Sequence, residues 1–240
     1  ALTAAEMANY TNFEVVKVTD NIATEIVFAD SFAAAGQEIT FDVTAMTSTI
    51  FTMNGGSETD GTFNLTTAGS GAHVITLGSG SDTYTASGTG AVTVTGTAGA
   101  NTITTGQGAD SVTGGSGIDS ISTGSAADTI SFATANLTLS DTVDGGSGTD
   151  ILSMTNASTI IDTDFTNITN VETLKQTTAA HAMTATLGVN ASNSGLTTIT
   201  GGTGANSVTL GSGMTTNLAI TLGATGTDTV TATNYTKQLT

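Results

Sequence analysis

GTAGANTIT (Gly96–Thr104) runs without a break into TGQGADSVT (Thr105–Thr113), GGSGIDSIS (Gly114–Ser122) and TGSAADTIS (Thr123–Ser131). Each phrase approximates G-G-x-G-x-D-x-U-x, with U a large apolar residue. The Gly-rich half admits φ > 0 turns and close backbone approach. The other half, such as Asn101-Thr102-Ile103-Thr104, alternates as a short strand does. Nine residues therefore make half a coil, and positions eighteen apart stack. Asn101 lies over Asp119 along one edge and Asp110 over Asp128 along the other. Ile103 and Ile121, and likewise Val112 and Ile130, point inward in register, so the expected core is one aliphatic residue per half-coil.

The chain has 240 residues, a formal net charge of −17, no Cys, Pro or Trp, and three basic residues, Lys17, Lys175 and Lys237. Phosphate binding needs clustered Lys and Arg, which excludes nucleic acid as a natural partner. Self-repulsion of this size opposes compaction unless counter-ions enter. Ca2+ meets that need, because it takes about six to eight oxygens from carboxylates and carbonyls and the acids here sit where Gly-rich turns expose carbonyls. Abundant Thr, Gly and Ser also suit a disordered linker, but the apolar residues recur in period. Without Cys the fold does not rely on disulfides. No apolar run approaches the ~20 residues of a membrane span, so no membrane insertion is expected. No charged-then-apolar signal segment opens the sequence. Because it starts at Ala1, the chain is expected to be a processed or excised portion of something longer.

Along the chain, residues 1–68 read as a strand-rich segment, with apolar runs at Phe13–Val18, Glu25–Phe28, Ile39–Val43 and Thr49–Met53 between Asn, Asp and Gly turns. Leu2–Tyr10 and Asp30–Ala35 are expected as short helices. Residues 69–153 carry the nonapeptides: LGSGSDTYT at Leu77–Thr85, the four phrases above, a gap at Phe132–Ser140, and GGSGTDILS at Gly145–Ser153. Residues 154–240 hold degenerate copies: GGTGANSVT from Gly201, LGSGMTTNL from Leu210 and LGATGTDTV from Leu222. A longer pattern, N-h-T-N-h-E-x-h-K, occurs at Asn9–Lys17 and again at Asn167–Lys175. The expectation is an all-β, parallel β-solenoid with little or no helix, continuous through the three segments, in which each coil touches only its neighbours.

The nonapeptides resemble those of the RTX group of secreted bacterial proteins. The stretches DTVDGGSGTD (Asp141–Asp150), NITNVETL (Asn167–Leu174) and GSETDGTFNL (Gly56–Leu65) are similar in style to the calcium-dependent S-layer proteins of that group. The resemblance implies a right-handed β-roll, Ca2+, and type I export from a Gram-negative bacterium to the cell surface. It also implies the metal ligands: Asp82, Asn101, Asp110, Asp119, Asp128 and Asp150 at the sixth position, with carbonyls from turn residues such as Gly106, Gly108, Gly115 and Gly117. Asn101 lacks a charge and implies a weaker site, Asp144 and Asp228 are further candidates, and the turns of Asn206 and Thr215 are expected to close without metal. For any single acid in a Gly-rich turn, the alternative is an Asx-turn hydrogen bond.

Other chemistry is sparse. His73 and His181 fall in no H-E-x-x-H, and there is no G-x-S-x-G, so neither a zinc protease nor a lipase of the usual kind is encoded. Both His are expected as surface or turn residues, Asp162 and Asp164 as solvated turn acids, and the scattered Met as gap-fillers in the core. No enzyme is expected. The favoured function is a self-assembling extracellular structural protein, an S-layer or filament subunit partnered with itself and joined to lipopolysaccharide, if at all, through Ca2+. The alternative is an RTX adhesin segment acting as spacer or ice-binding module. Thr-x-Thr pairs at Thr83, Thr93, Thr102 and Thr229 suit ice binding, although Thr is also simply a good strand residue.

Overall fold

A computed structural model describes Thr3, Ala5 and residues 14–177, 180–233 and 235–240. The protein is an all-β parallel β-solenoid, folded as two compact units, Ala1–Ala126 and Ala127–Thr240.

The described strands of the first unit are β1 (Val15–Lys17), β2 (Thr24–Val27), β3 (Glu38–Val43), β4 (Phe51–Asn54), β5 (Thr62–Thr67), β6 (Val74–Thr76), β7 (Thr83–Ala86), β8 (Thr93–Thr95), β9 (Thr102–Thr104), β10 (Ser111–Thr113) and β11 (Ser120–Ser122). Odd strands pair in the order β1-β3-β5-β7-β9-β11 and even strands in the order β2-β4-β6-β8-β10. Every pair is parallel, because each coil returns in the same direction. The offset between partners falls from 24 residues at Thr40↔Asn64 to 19 at Asn64↔Thr83 and 18 at Thr102↔Ser120, so the coil tightens as the nonapeptides take over. Ile103 sits opposite Ile121 as the eighteen-residue stacking requires. Both are buried, as are Val94 and Val112, while the flanking Thr and Ser face outward.

The wide coils before the nonapeptides are filled by aromatic residues. Phe28 meets Phe32, Phe41 and Phe63 at ring-centroid distances of 4.8, 5.2 and 5.2 Å. Asp30–Ala35 is not the expected helix but a series of turns. Its amides are claimed from elsewhere: Ala33 N–H donates to Glu58 Oε2, Ala34 N–H to Gln37 Oε1 and Gly36 N–H to Asp60 O. The other expected helix, Leu2–Tyr10, lies outside the described residues apart from Thr3 and Ala5, of which Ala5 is helical.

The second unit contains β12 (Thr129–Phe132), β13 (Thr142–Asp144), β14 (Ile151–Met154), β15 (Ser158–Ile161), β16 (Ile168–Thr169), β17 (Thr173–Gln176), β18 (Met183–Leu187), β19 (Thr198–Thr200), β20 (Ser207–Leu210), β21 (Ala219–Thr221) and β22 (Thr229–Ala232). Three ladders run through it: β12-β14-β17-β19-β21, the pair β13-β16, and β15-β18-β20-β22. Offsets here are 22 residues at Thr129↔Ile151 and 25 at Ser158↔Met183, long enough for a third strand per coil. Among the described residues of this unit, regular helix is confined to α1 (Val189–Asn193), with a 3-10 turn at Asp162–Phe165. Asp162 is no idle turn acid: it accepts from Gly188, Asn190 and Ala191 N–H at 2.7, 3.2 and 3.0 Å and so satisfies the start of α1. Asp164 likewise accepts from Ile161 N–H. Met46, Met53, Met154, Met183 and Met214 are all buried, while Met7 lies outside the described residues. Among the described residues no helix is long and apolar enough to cross a membrane.

Candidate metal centre

Position six of each phrase stands just ahead of its strand, where the coils are still spreading into the turn. The backbone N–H there has no strand partner, and a buried unpaired donor is costly. The side chain of the following coil supplies the acceptor. Phe63 N–H donates to Asp82 Oδ1 at 2.7 Å, Asp82 N–H to Asn101 Oδ1 at 3.0 Å and Asn101 N–H to Asp119 Oδ1 at 3.0 Å. On the other edge of the first unit Val92 N–H donates to Asp110 Oδ1 at 2.8 Å. In the second unit Asp128 N–H donates to Asp150 Oδ1, and Asp150 N–H to Glu172 Oε2, both at 2.8 Å. Met183 N–H to Asn206 Oδ1 and Asn206 N–H to Asp228 Oδ1 continue the device along the third ladder.

These acids are deeply buried: Asp82, Asp110, Asp119, Asp128 and Asp150 are exposed by no more than 3%. The Oδ1 atoms of Asp82, Asp110, Asp119 and Asp150 accept from the coil before, whereas the Oδ2 atoms of Asp82 and Asp150 are buried without a hydrogen bond. Burial pushes the Asp82 carboxyl up to about 6, against lowering hydrogen bonds from Phe63 and Gly78 and with a smaller upward push from Glu58. Burial likewise raises Asp110 and Asp150. A row of buried carboxylate oxygens beside Gly-rich turns fits a hard divalent cation, which would be held by carboxylate and carbonyl oxygens. When bound, it supplies the positive charge that the chain lacks: among the described residues the one ion pair is Lys17 with Asp42, at 2.9 Å. Gly106, Gly108, Gly115 and Gly117 lie in these turns, each stacked against the glycine one coil earlier, Gly88, Gly90, Gly96 and Gly99.

Asparagine at the same position does something different. Asn206 Nδ2 donates to the carbonyls of Gly202 and Gly204 at 2.7 and 2.8 Å and to Asp228 Oδ1 at 2.9 Å. Asn101 Nδ2 donates to Ala98 O at 3.2 Å. The amide nitrogen thus satisfies turn carbonyls from within. Asp144 stands outside the row of sixth-position side chains, its Oδ1 accepting from Gly146 N–H as an Asx-turn and from Asn170 Nδ2. Asp141 is buried and its Oδ2 accepts from Thr138 N–H at 2.7 Å.

Three participants were not expected from the sequence. His73, read there as a surface or turn residue, is 2% exposed, and its Nδ1 accepts from Phe51 N–H in the place an aspartate takes elsewhere. Its phrase AGSGAHVIT (Ala68–Thr76) is a nonapeptide with His at position six, a signal visible once the acid is not required. Glu58 is fully buried and near Asp30 and Asp60, with ligand atoms within 4.8 Å of one another, yet both its oxygens are satisfied, by Ala33 and by Gly61 N–H. Glu172 carries the ladder beyond the last nonapeptide.

Geometry and chemistry together define a calcium-binding parallel β-roll. The family model of the RTX calcium-binding nonapeptide repeat (4 copies) matches residues 88–121, 95–130 and 140–153, the turns that carry Asn101, Asp110, Asp119, Asp128 and Asp150. No curated protein and no solved structure matches the chain.

Proposed function

We propose that this chain is a building segment of a self-assembling structural protein, an S-layer or filament subunit at the bacterial surface, whose coils are folded and joined through Ca2+. The observation that carries the reading is the exposure of apolar side chains near the ladder ends among the described residues. In the first unit β2 is an edge strand among the described strands, and Val15, Ile22 and Ile50 are exposed by 60, 66 and 48%. In the second, Ile220, Leu222, Val230, Leu239 and Thr240 line an apolar hollow. A coil stack without Pro and with three Lys lacks the usual devices that block strand edges. Contacts of start to finish between copies are heterologous and propagate. The acidic surface would meet anionic lipopolysaccharide only through bridging Ca2+. Light scattering and electron microscopy at millimolar calcium should show polymers that dissolve on chelation. A strictly monomeric species at high concentration and saturating calcium would reject self-assembly.

A second reading, an ice-binding or spacer segment of an adhesin, is favoured by one arrangement. Thr83, Thr102 and Ser120 stand in one row and Thr85, Thr104 and Ser122 in the next, and strands β4 to β11 carry no charged residue. Absence of thermal hysteresis and of ice-recrystallisation inhibition would leave only the spacer role.

A further inference from the structure

We infer that the metal array extends one coil past the last nonapeptide, with a calcium ion held between Asp150, Glu172 and the carbonyl of Asn170, so that the N-x-T-N-V-E segment closes the array. This rests on the calcium-binding reading of the turns and adds a site where no nonapeptide exists. Three side chains of the segment reach back to the preceding coil. Asn167 Nδ2 donates to Leu139 O at 2.9 Å, Asn170 Nδ2 to Asp144 Oδ1 at 2.7 Å, and Glu172 Oε2 accepts from Asp150 N–H at 2.8 Å. Glu172 therefore stands where the next sixth-position aspartate would stand.

Asp150 points into this junction. It is fully buried, and its Oδ2 accepts no hydrogen bond. A Cβ built on Gly145 would lie 2.9 Å from that Oδ2 and would collide with the carbonyl oxygen of Asn170, so the two oxygens share the space beside Gly145. Asn170 holds that carbonyl in place from a left-handed backbone, φ +54°, rare for a side-chain-bearing residue and fixed here by its bond to Asp144. At Gly201 the corresponding space is filled by the Asn206 side chain, whose amide nitrogen donates to the surrounding carbonyls. At Asp150 a carboxylate oxygen that accepts no hydrogen bond lies beside a carbonyl oxygen. Two acceptors with Glu172 and Asp144 alongside call for a hard cation rather than a hydrogen bond.

Calcium bound per chain, measured by equilibrium dialysis, tests this on the intact protein. Glu172→Gln keeps an acceptor for Asp150 N–H and removes only the charge. It should bind one ion fewer than wild type, with the circular dichroism spectrum at saturating calcium preserved. Unchanged stoichiometry and affinity in Glu172→Gln would overturn the site while leaving the nonapeptide ions standing. A wild-type chain that binds no calcium would overturn the whole calcium reading, a distinguishable result. If Glu172→Gln does not fold, anomalous density in wild-type crystals grown with calcium decides. A peak between Asp150 and Glu172 supports the site, and peaks at the nonapeptide turns alone reject it.

Discussion

At the scale of the residue, the sixth position does two jobs, and they separate chemically. One carboxylate oxygen satisfies the amide of the coil before, while the charge would serve a bound cation. Asp119→Asn keeps the acceptor for Asn101 N–H and removes the charge, so it should move the calcium midpoint to higher concentration. Asp119→Ala removes both and, at saturating calcium, should lose about 1–3 kcal/mol more in urea unfolding, the cost of a buried donor without its acceptor. Asn101→Asp should shift the midpoint the other way, and it gives up the Nδ2 bond to Ala98 O. Equal behaviour of the Asn and Ala variants at position 119 would refute the division of labour. His73 illustrates the same economy without charge: a neutral imidazole satisfies the Phe51 amide just as a carboxylate would.

At the scale of the element, the turns rather than the strands set the tolerance to change. The three-residue strands β8 to β11 carry one inward aliphatic side chain each, whereas the turns stack backbone on backbone. Gly117 has φ +125°, and a Cβ there would collide with Gly99 O; Gly36 has φ +74° and nothing within 4 Å. Gly36→Ala should therefore cost only the backbone conformation, about 1–2 kcal/mol. Gly117→Ala should cost that and about 1–3 kcal/mol more for overpacking. Thermal melts at saturating calcium compare them, and equal losses would mean that the close approach of coils carries no weight.

For the molecule as a whole, a net charge of −17 predicts that the fold depends on bound counter-ions. Each site at calcium one hundred times its dissociation constant adds about 2.7 kcal/mol, so several sites together outweigh the ~5–15 kcal/mol stability of an ordinary domain. Chelation near pH 7 should erase the β circular dichroism signal. The pH dependence of the calcium-free chain follows from the raised carboxyls. With Asp82 at about 6 when folded and an ordinary value of 3.8 when unfolded, its burial is a full penalty above pH 6. That penalty is relieved as pH falls through 6 towards 3.8; Asp110 and Asp150 act in the same direction. His73, lowered by burial, works the opposite way, because its neutral form is the one the fold keeps and stability is lost as it protonates. With Asp164 raised by burial as well, four carboxyls stand against one imidazole, so the calcium-free chain should regain β circular dichroism signal as pH falls from 7 to 5. A flat or falling profile would show that carboxylate burial is not what calcium offsets.

Where the sequence repeats, it determined the structure outright. In the run from Gly96 each phrase is flanked by its own near-copy, so the inward aliphatic residue, the stacking of Ile103 on Ile121 and that of Asn101 on Asp119 all follow from period alone. The tertiary structure decided what happens where the period breaks. Glu58 is buried because the distant amide of Ala33 and the local amide of Gly61 need acceptors, and His73 because an edge position needs an acceptor and not a charge. The third ladder of β15, β18, β20 and β22 arises in coils of 22 to 25 residues, whose length alone does not say which residues stack. Glu172 joins the aspartate row for the same reason: its place depends on which coil it lands upon, and only the folded chain brings it over Asp150.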